Sequence, residues 1–282
     1  MSFFNKLSLI TKLLYHAKFR IFVVLYSLVS ILFILVSKQS VSPGVYFLDV
    51  GQGDSTLIIG SSGNRILIDA GNIDGKSVKE IRKILPWFDR RIDLAIGTHA
   101  DQDHVGGFTK VVQNFSVSKF LFSHLHTTKT VETNLFDSLD RAGVATSTIN
   151  RGARISFGND YINILYPSRQ MKMTSDKDTN LFSIVAMVHV GTTTFLLTGD
   201  SPREVELKLV NAKDNLHADV LKAGHHGSKT STDPIFVEKV KPTYAIISAG
   251  KNNRYGHPHK ETLETLKDIK ILKTYELGTI EF

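Results

Sequence analysis

The sequence predicts a mixed α/β domain of two packed sheets with helices outside them, carried behind one N-terminal apolar helix. Three observations lead there. Short apolar runs separated by glycine-rich turns open the body of the chain, amphipathic stretches alternate with further apolar runs after them, and a basic segment followed by an unbroken apolar run precedes both. A composition of 42% hydrophobic and 22% charged residues is that of a chain able to bury a core, which excludes a disordered tail.

The apolar run is Ile21 to Ser37, bracketed by Arg20 and Lys38. As a helix it would extend about 25 Å, the short end of a membrane span. Lys6, Lys12, Lys18 and Arg20 precede it and only Lys38 follows closely, so the positive-inside rule keeps the N-terminus cytoplasmic and places the body outside the cell. A long basic n-region and the lack of a small-x-small site after Val36 favour an uncleaved anchor over a signal peptide. The expected domains are therefore a cytoplasmic N-terminus with anchor over 1–38, a linker over 39–44 and one folded body over 45–282. The five basic residues before residue 39 carry most of the net charge of +7, so charge alone does not argue for nucleic acid.

Within the body, VYFLDV, STLIIG and RILIDAG read as strands, and Ser77 to Phe88 as a helix with Val78, Ile81, Ile84 and Leu85 on one face. Further strands are expected at Leu94 to Thr98, Lys119 to Ser123, Tyr161 to Tyr166, Phe182 to Val190, Thr193 to Thr198, Ala218 to Ala223, Tyr244 to Ser248 and Ile271 to Tyr275. Helices fit at Gly107 to Phe115, Val131 to Ala142, Pro202 to Val210, Pro234 to Val240 and Lys260 to Ile269. The chain has no cysteine, so disulfides, thiolate ligands and cysteine nucleophiles are excluded and any metal must be held by His, Asp or Glu.

The densest chemical signal is His99-Ala100-Asp101-Gln102-Asp103-His104, which begins where the apolar strand LAIG ends. Capping of the following helix explains one aspartate, worth about 1 kcal/mol, but not four potential ligands together. Side chains that fan out as a strand becomes a turn can grip two ions a few ångströms apart, as two-metal hydrolases require.

This segment resembles the metallo-β-lactamase signature H-x-H-x-D-H with Asp101 in place of the middle histidine. Together with FLDVGQGDS at Phe47 to Ser55, LLTGD at Leu196 to Asp200, KAGHHGS at Lys222 to Ser228 and YGHP at Tyr255 to Pro258, it is similar to the extracellular hydrolase domain of competence DNA-internalisation proteins. The resemblance implies an αββα sandwich of two mixed sheets and two divalent ions, Zn or Mn. It implies that His99 and Asp101 hold the first metal, that Asp103 and His104 hold the second, and that Asp200 bridges them. His225 completes the second position, with His226 its close competitor, and Asp69 orients the ligand loop. Asp54 and His257 stand near these motifs, His257 as a donor to a phosphate or leaving group, and Asp103 is implied in catalysis beside its ligand role. The wider family's third-motif histidine has the candidates His124, His126 and His189, while the similar branch has a polar residue near Asn180 or Ser183 instead.

Two such ions predict hydrolysis of phosphodiester bonds by an activated water; the resemblance implies DNA as substrate, a teichoic-acid-type polymer outside the cell is the other phosphodiester, and Lys222, Lys229, Lys251 and Arg254 are available to a phosphate backbone. The alternative is a non-catalytic surface module that binds DNA or wall polymer through a degenerate metal site. The membrane is reached through the N-terminal helix, and no protein partner is inferred.

Overall fold

Strands whose residues are buried on both faces read as continuous apolar runs, and five strands of this body, among them Gly44–Phe47, Thr56–Ile59 and Leu94–Gly97, are buried along their whole length. The structure is a computed structural model that describes residues 15–31, 41–123, 126–173, 178–212 and 214–282. It divides into a unit over Met1–Ser40 and a unit over Val41–Phe282.

In the first unit, residues 15–31 form one helix, α1, with Phe19, Phe22, Leu25 and Leu28 exposed. Among the described residues no helix is long and apolar enough to cross a membrane. Of the span expected from Ile21 to Ser37, residues 21–31 are helical, the described helix does not amount to a membrane span, and residues 32–37 lie outside the described residues.

The second unit holds two seven-stranded sheets. The first contains β1 (Gly44–Phe47), β2 (Thr56–Ile59), β3 (Arg65–Ile68), β5 (Leu94–Gly97), β7 (Lys119–Ser123), β8 (Ala145–Ile149) and β16 (Ile280–Glu281), in the order β16-β1-β2-β3-β5-β7-β8. The second contains β9 (Arg154–Phe157), β10 (Asp160–Tyr166), β11 (Val185–Val190), β12 (Thr193–Leu197), β13 (Val220–Lys222), β14 (Tyr244–Ile247) and β15 (Lys270–Lys273), in the order β15-β14-β13-β12-β11-β10-β9. A minor pair joins β4 (Arg91–Ile92) and β6 (Ser116–Val117). Each large sheet is mixed: β1, β2 and β3 form an antiparallel meander while β3, β5, β7 and β8 run parallel, and β9 to β12 are antiparallel while β12 to β15 are parallel.

Alternation along the strands sorts the core into three layers. Val45, Phe47, Ile58 and Ile96 of the first sheet meet Ile162, Val188, Phe195 and Ile246 of the second. On its outer face the first sheet packs Tyr46, Leu57, Leu67 and Phe120 against α2 (Lys76–Ile84), α4 (Phe108–Asn114) and α5 (Thr130–Arg141). The second sheet packs Met187, Leu196, Leu221 and Ala245 against α6 (Arg203–Asn211), α7 (Pro234–Val240) and α8 (Lys260–Thr265). The result is the four-layer αββα sandwich.

Helix α2 stops at Ile84, short of the expected Phe88, because Leu85 precedes a proline and is extended at φ −81, ψ 142. The expected strand from Phe182 begins only at Val185, since Thr179–Phe182 forms a 3₁₀ turn. Strands β8 and β9 were not expected: ATSTI and RISF are largely exposed edge segments without an apolar run. Two short helices complete the chain, α3 (Gln102–Val105) and α9 (Thr274–Leu277), the latter taking up residues expected to continue β15.

Candidate metal centre

Most of the site sits on loops leaving the ends of strands that pair in parallel, where neighbouring side chains diverge, and the turn between the antiparallel β1 and β2 adds Asp54. From the first sheet, β3 is followed by Asp69 in the left-handed region (φ 55), and β5 by Thr98, the loop His99-Ala100-Asp101 and helix α3. Backbone bonds lock these loops to the Gly51–Asp54 turn: Asp54 N–H donates to Asp103 O at 3.1 Å, Ala70 N–H to His104 O at 2.7 Å and Gly71 N–H to Asp54 O at 2.8 Å. Glycine is required at 53, where φ is +126 and a Cβ would lie 2.2 Å from Asp103 O. From the second sheet come Asp200, just past β12, and His225 and His226, both in the left-handed region beyond β13 at φ 48 and 56.

Asp69 sets the histidines of the ligand loop. Its carboxylate accepts Thr98 N–H at 2.8 Å, Thr98 Oγ1–H at 2.7 Å and His104 Nδ1–H at 2.8 Å, all buried. His104 Nε2 then points at Asp200 Oδ1, 3.2 Å away. Because the Thr98 hydroxyl gives its proton to Asp69, it accepts from His99 Nδ1 at 3.0 Å, which leaves the His99 Nε2 lone pair free. One buried carboxylate thereby fixes two imidazoles with Nε2 facing the site.

His226 Nδ1 donates to Ser248 O at 2.9 Å. Its Nε2 lies 3.2 Å from Asp200 Oδ2, 3.3 Å from Asp103 Oδ2 and 3.4 Å from His104 Nε2. His226, rather than His225, thus stands in the buried cluster: Asp54, His104, Asp200 and His226 each offer a ligand atom, all within 4.8 Å of one another. His225 lies beside it, Nε2 3.7 Å from Asp200 Oδ2 and Nδ1 3.3 Å from Thr230 Oγ1.

Asp101 takes the N-cap position of α3 without making a cap hydrogen bond, so capping does not explain it. Its Oδ1 instead meets the Lys129 ammonium and the Thr179 hydroxyl, the latter at 2.5 Å, and its Oδ2 lies 3.7 Å from His99 Nε2. Lys222, expected among loop lysines open to a phosphate backbone, is buried. Its ammonium pairs with Asp54, donates to Gly199 O at 2.9 Å and stands 3.8 Å from Asp200 Oδ1. Lys229, Lys251 and Arg254 are exposed. Of the third-motif candidates, His126 is bonded to Glu132 at 2.6 Å, His189 stacks on Tyr161 on the second sheet, and His124 lies outside the described residues. Ser183, buried, accepts Asp200 N–H at 3.2 Å.

Burial opposes charge on every one of these groups, yet their mutual attraction wins. His104 is raised well above the ordinary histidine value, against its burial, by Asp200 and Asp69, and His226 likewise by Asp200 and Asp54. The same pairs hold Asp200 well below the carboxylate range, and Asp54 is lowered by Lys222 and His226. Asp103 is lowered by His226 and His104, and Asp101 by His99 and Lys129. His257 moves the other way, down to about 4, through burial and the neighbouring His226 and His225.

The donor set fits divalent cations. His99 Nε2 and Asn180 Oδ1 are buried without hydrogen-bond partners, an arrangement that costs about 1–3 kcal/mol per group unless something else satisfies them. In the metal-free chain, protons on His104 and His226 offset the carboxylates, and a metal would displace them.

Fold and centre together define a protein of the metallo-β-lactamase fold, and residues 48–140 match the model of the Metallo-beta-lactamase superfamily. Within that class the chain is similar to ComE operon protein 3 of Bacillus subtilis (strain 168), at 32% identity over 257 residues, covering 84% of this chain and 32% of that protein. It is also similar to Recombination protein 2 of Haemophilus influenzae, at 32% identity over 244 residues, covering 84% of this chain and 28% of that protein. The chain spans about a third of the length of the curated relatives it matches. Among solved structures, the metallo-beta-lactamase fold protein YhfI from Bacillus subtilis superposes with a TM-score of 0.56 at 12% identity, over 86% of this chain and 100% of that one, a likeness of fold alone.

Proposed function

We propose that this chain is a metal-dependent phosphodiesterase, a nuclease in the first instance, held at the outer face of a membrane by its N-terminal helix. The observation that carries the reading is the buried cluster of His104, Asp200, His226 and Asp54, with Asp103 3.3 Å from His226 Nε2. His99 and Asp101, with Asn180 near Thr179, would hold a first ion, and His104, Asp103 and His226 a second, with Asp200 shared between them. Asp54, tied to Lys222, orients His226 in this arrangement. Bound ions would supply Lewis-acid activation of water and neutralisation of phosphate charge. An oxygen-rich donor set suits Mn as well as Zn.

Asp103 stands at the open side of the centre, where it can hold the attacking water, and His257, neutral at pH 7, can hydrogen-bond the leaving group. Exposed Lys229, Lys251 and Arg254 supply positive charge to a phosphate backbone. The relatives' names, a ComE operon protein and a recombination protein, favour DNA over a wall polymer.

The test is hydrolysis of bis-p-nitrophenyl phosphate and of DNA with added Mn²⁺ or Zn²⁺, with bound metal measured in parallel. Asp103→Ala and Asp200→Ala are expected to lose activity, and Asp200→Ala to lose metal as well. Wild-type protein as inactive as both variants on every substrate would leave a binding module. Protease added to intact cells is expected to remove the body and spare the first twenty or so residues; full protection would reverse the orientation.

A further inference from the structure

A cavity of about 430 Å³ opens directly beside Asp103, which forms one of its walls. We propose that this cavity is a nucleobase subsite, in which Tyr255 and Arg254 stack the base and Gln52 reads its edge, while the adjoining phosphate reaches the metal centre past Asp103. The proposal rests on the phosphodiesterase reading and narrows its substrate to a nucleic-acid strand with an accessible base.

Four features carry it. Asp103 belongs both to the cavity wall and to the cluster, its Oδ2 3.3 Å from His226 Nε2, so a ligand in the cavity adjoins the metal-ligating groups. Tyr255 leaves 47% of its surface exposed, and its ring lies 21° from the plane of His257 at 5.6 Å. The Arg254 guanidinium lies 4.9 Å from the Tyr255 centroid and donates to its hydroxyl at 2.7 Å, so a planar cation adjoins the aromatic ring. Unpaired bases are stacked on such surfaces. Arg254 makes no ion pair among the described residues, which leaves its charge for an anionic ligand.

The platform is also preformed. Asn253 spends all of its side-chain polar groups on the loop that carries Tyr255: Nδ2–H donates to Gly250 O at 2.8 Å and His257 O at 2.6 Å, and Oδ1 accepts Tyr255 N–H at 3.1 Å and His257 N–H at 2.9 Å. Gln52 Oε1 accepts Gly250 N–H at 3.2 Å, which fixes the amide so that Nε2 is the free end. That Nε2 is buried and has no partner, a donor awaiting an acceptor such as a ring nitrogen or carbonyl oxygen of a base. A glycerol- or ribitol-phosphate polymer offers neither a flat face to Tyr255 nor a ring acceptor to Gln52. The cavity volume lies in the range of small-ligand sites and at its lower end, which matches one nucleotide unit.

The experiment uses the full chain in detergent micelles and measures fluorescence anisotropy of two labelled strands of equal length, a nuclease-resistant phosphorothioate oligothymidylate and an abasic phosphorothioate strand. Wild type is expected to prefer the base-bearing strand. Tyr255→Ala is expected to lower the ratio of the two affinities roughly 5- to 150-fold, the range for loss of one base–aromatic stack, and Tyr255→Trp to keep it. Equal affinities in wild type, an unchanged ratio in Tyr255→Ala, or displacement of oligothymidylate as readily by base-free polyglycerol phosphate would each overturn the subsite. Hydrolysis of bis-p-nitrophenyl phosphate separates the two readings. Hydrolysis without base preference removes the subsite alone, and base preference without hydrolysis of any phosphodiester removes the phosphodiesterase reading and retains the subsite.

Discussion

Asp69→Asn tests the most economical feature of the centre, the use of one buried carboxylate to orient two histidines. The side chain keeps its shape and one oxygen can still accept Thr98 N–H, now 2.8 Å away, but the amide nitrogen then takes the place of the single oxygen that accepts both Thr98 Oγ1–H and His104 Nδ1–H, at 2.7 and 2.8 Å. Against His104 it is a donor meeting a donor, and the imidazole must move its proton to Nε2, the atom 3.2 Å from Asp200 that a metal would need. Loss of a charge-assisted buried bond is worth about 1.5–3 kcal/mol. For a domain of this size that lowers the Tm by roughly 3–12 °C. Removal of an outer partner of a ligating histidine lowers metal affinity about 10- to 100-fold. Calorimetric titration with Mn²⁺ or Zn²⁺ and thermal unfolding read both effects. If Asp69→Asn bound metal as tightly as wild type, the argument that Asp69 sets the tautomer of His104 would be refuted.

Three further outcomes are expected. Because His104 and His226 are raised above an unfolded value of about 6.5, their contribution to the stability of the metal-free chain is complete below about pH 6.5 and fades as pH rises through the raised values; metal affinity should climb over the same interval with release of protons, and an affinity flat between about pH 6 and 9 would contradict this. Lys222→Met strands the buried Asp54 carboxylate, so the metal-free variant should lose about 3–5 kcal/mol in chemical denaturation and recover part of it with divalent metal; a loss under about 1 kcal/mol would show that Lys222 is not the compensating charge. Gly53→Ala places a Cβ against Asp103 O in a backbone region that alanine avoids, and should weaken metal binding while destabilising by more than about 1 kcal/mol, read by titration and melting.

Much of the fold was legible because many of its strands are buried on both faces: LAIG and TLII announce themselves as short runs without a charged residue. Strand β8 escaped because ATSTI sits at a sheet edge with four of its five residues exposed and carries no hydrophobic pattern. The ligand loop was legible because His99, Asp101, Asp103 and His104 are crowded behind a strand. The choice between His225 and His226 was not, since both are left-handed and their aims are set by backbone angles that sequence spacing does not encode. Lys129 was missed because its partner Asp101 is 28 positions away, and Lys222 because a lysine ending a strand ordinarily faces water. Thr98 was the recoverable case: a hydroxyl residue directly before the first ligand histidine is placed to accept from its ring.

Asp54, Asp69, His99, Asp103 and His104 all precede the turn near residue 150 that leads from the first sheet to the second, while Asp200, His226 and His257 follow it, and β16 returns from the C-terminal half to pair with β1. The centre is therefore a clasp between two halves of the chain, and neither half alone owns it. Cutting the backbone at that turn would give two fragments, each with an incomplete ligand set, whose reassociation would re-form the β1–β16 seam and the clasp together. Divalent metal should then act as the linchpin of fragment complementation, tightening it in proportion to its own affinity, so that the assembly of the two pieces becomes a gauge of the ion that joins them.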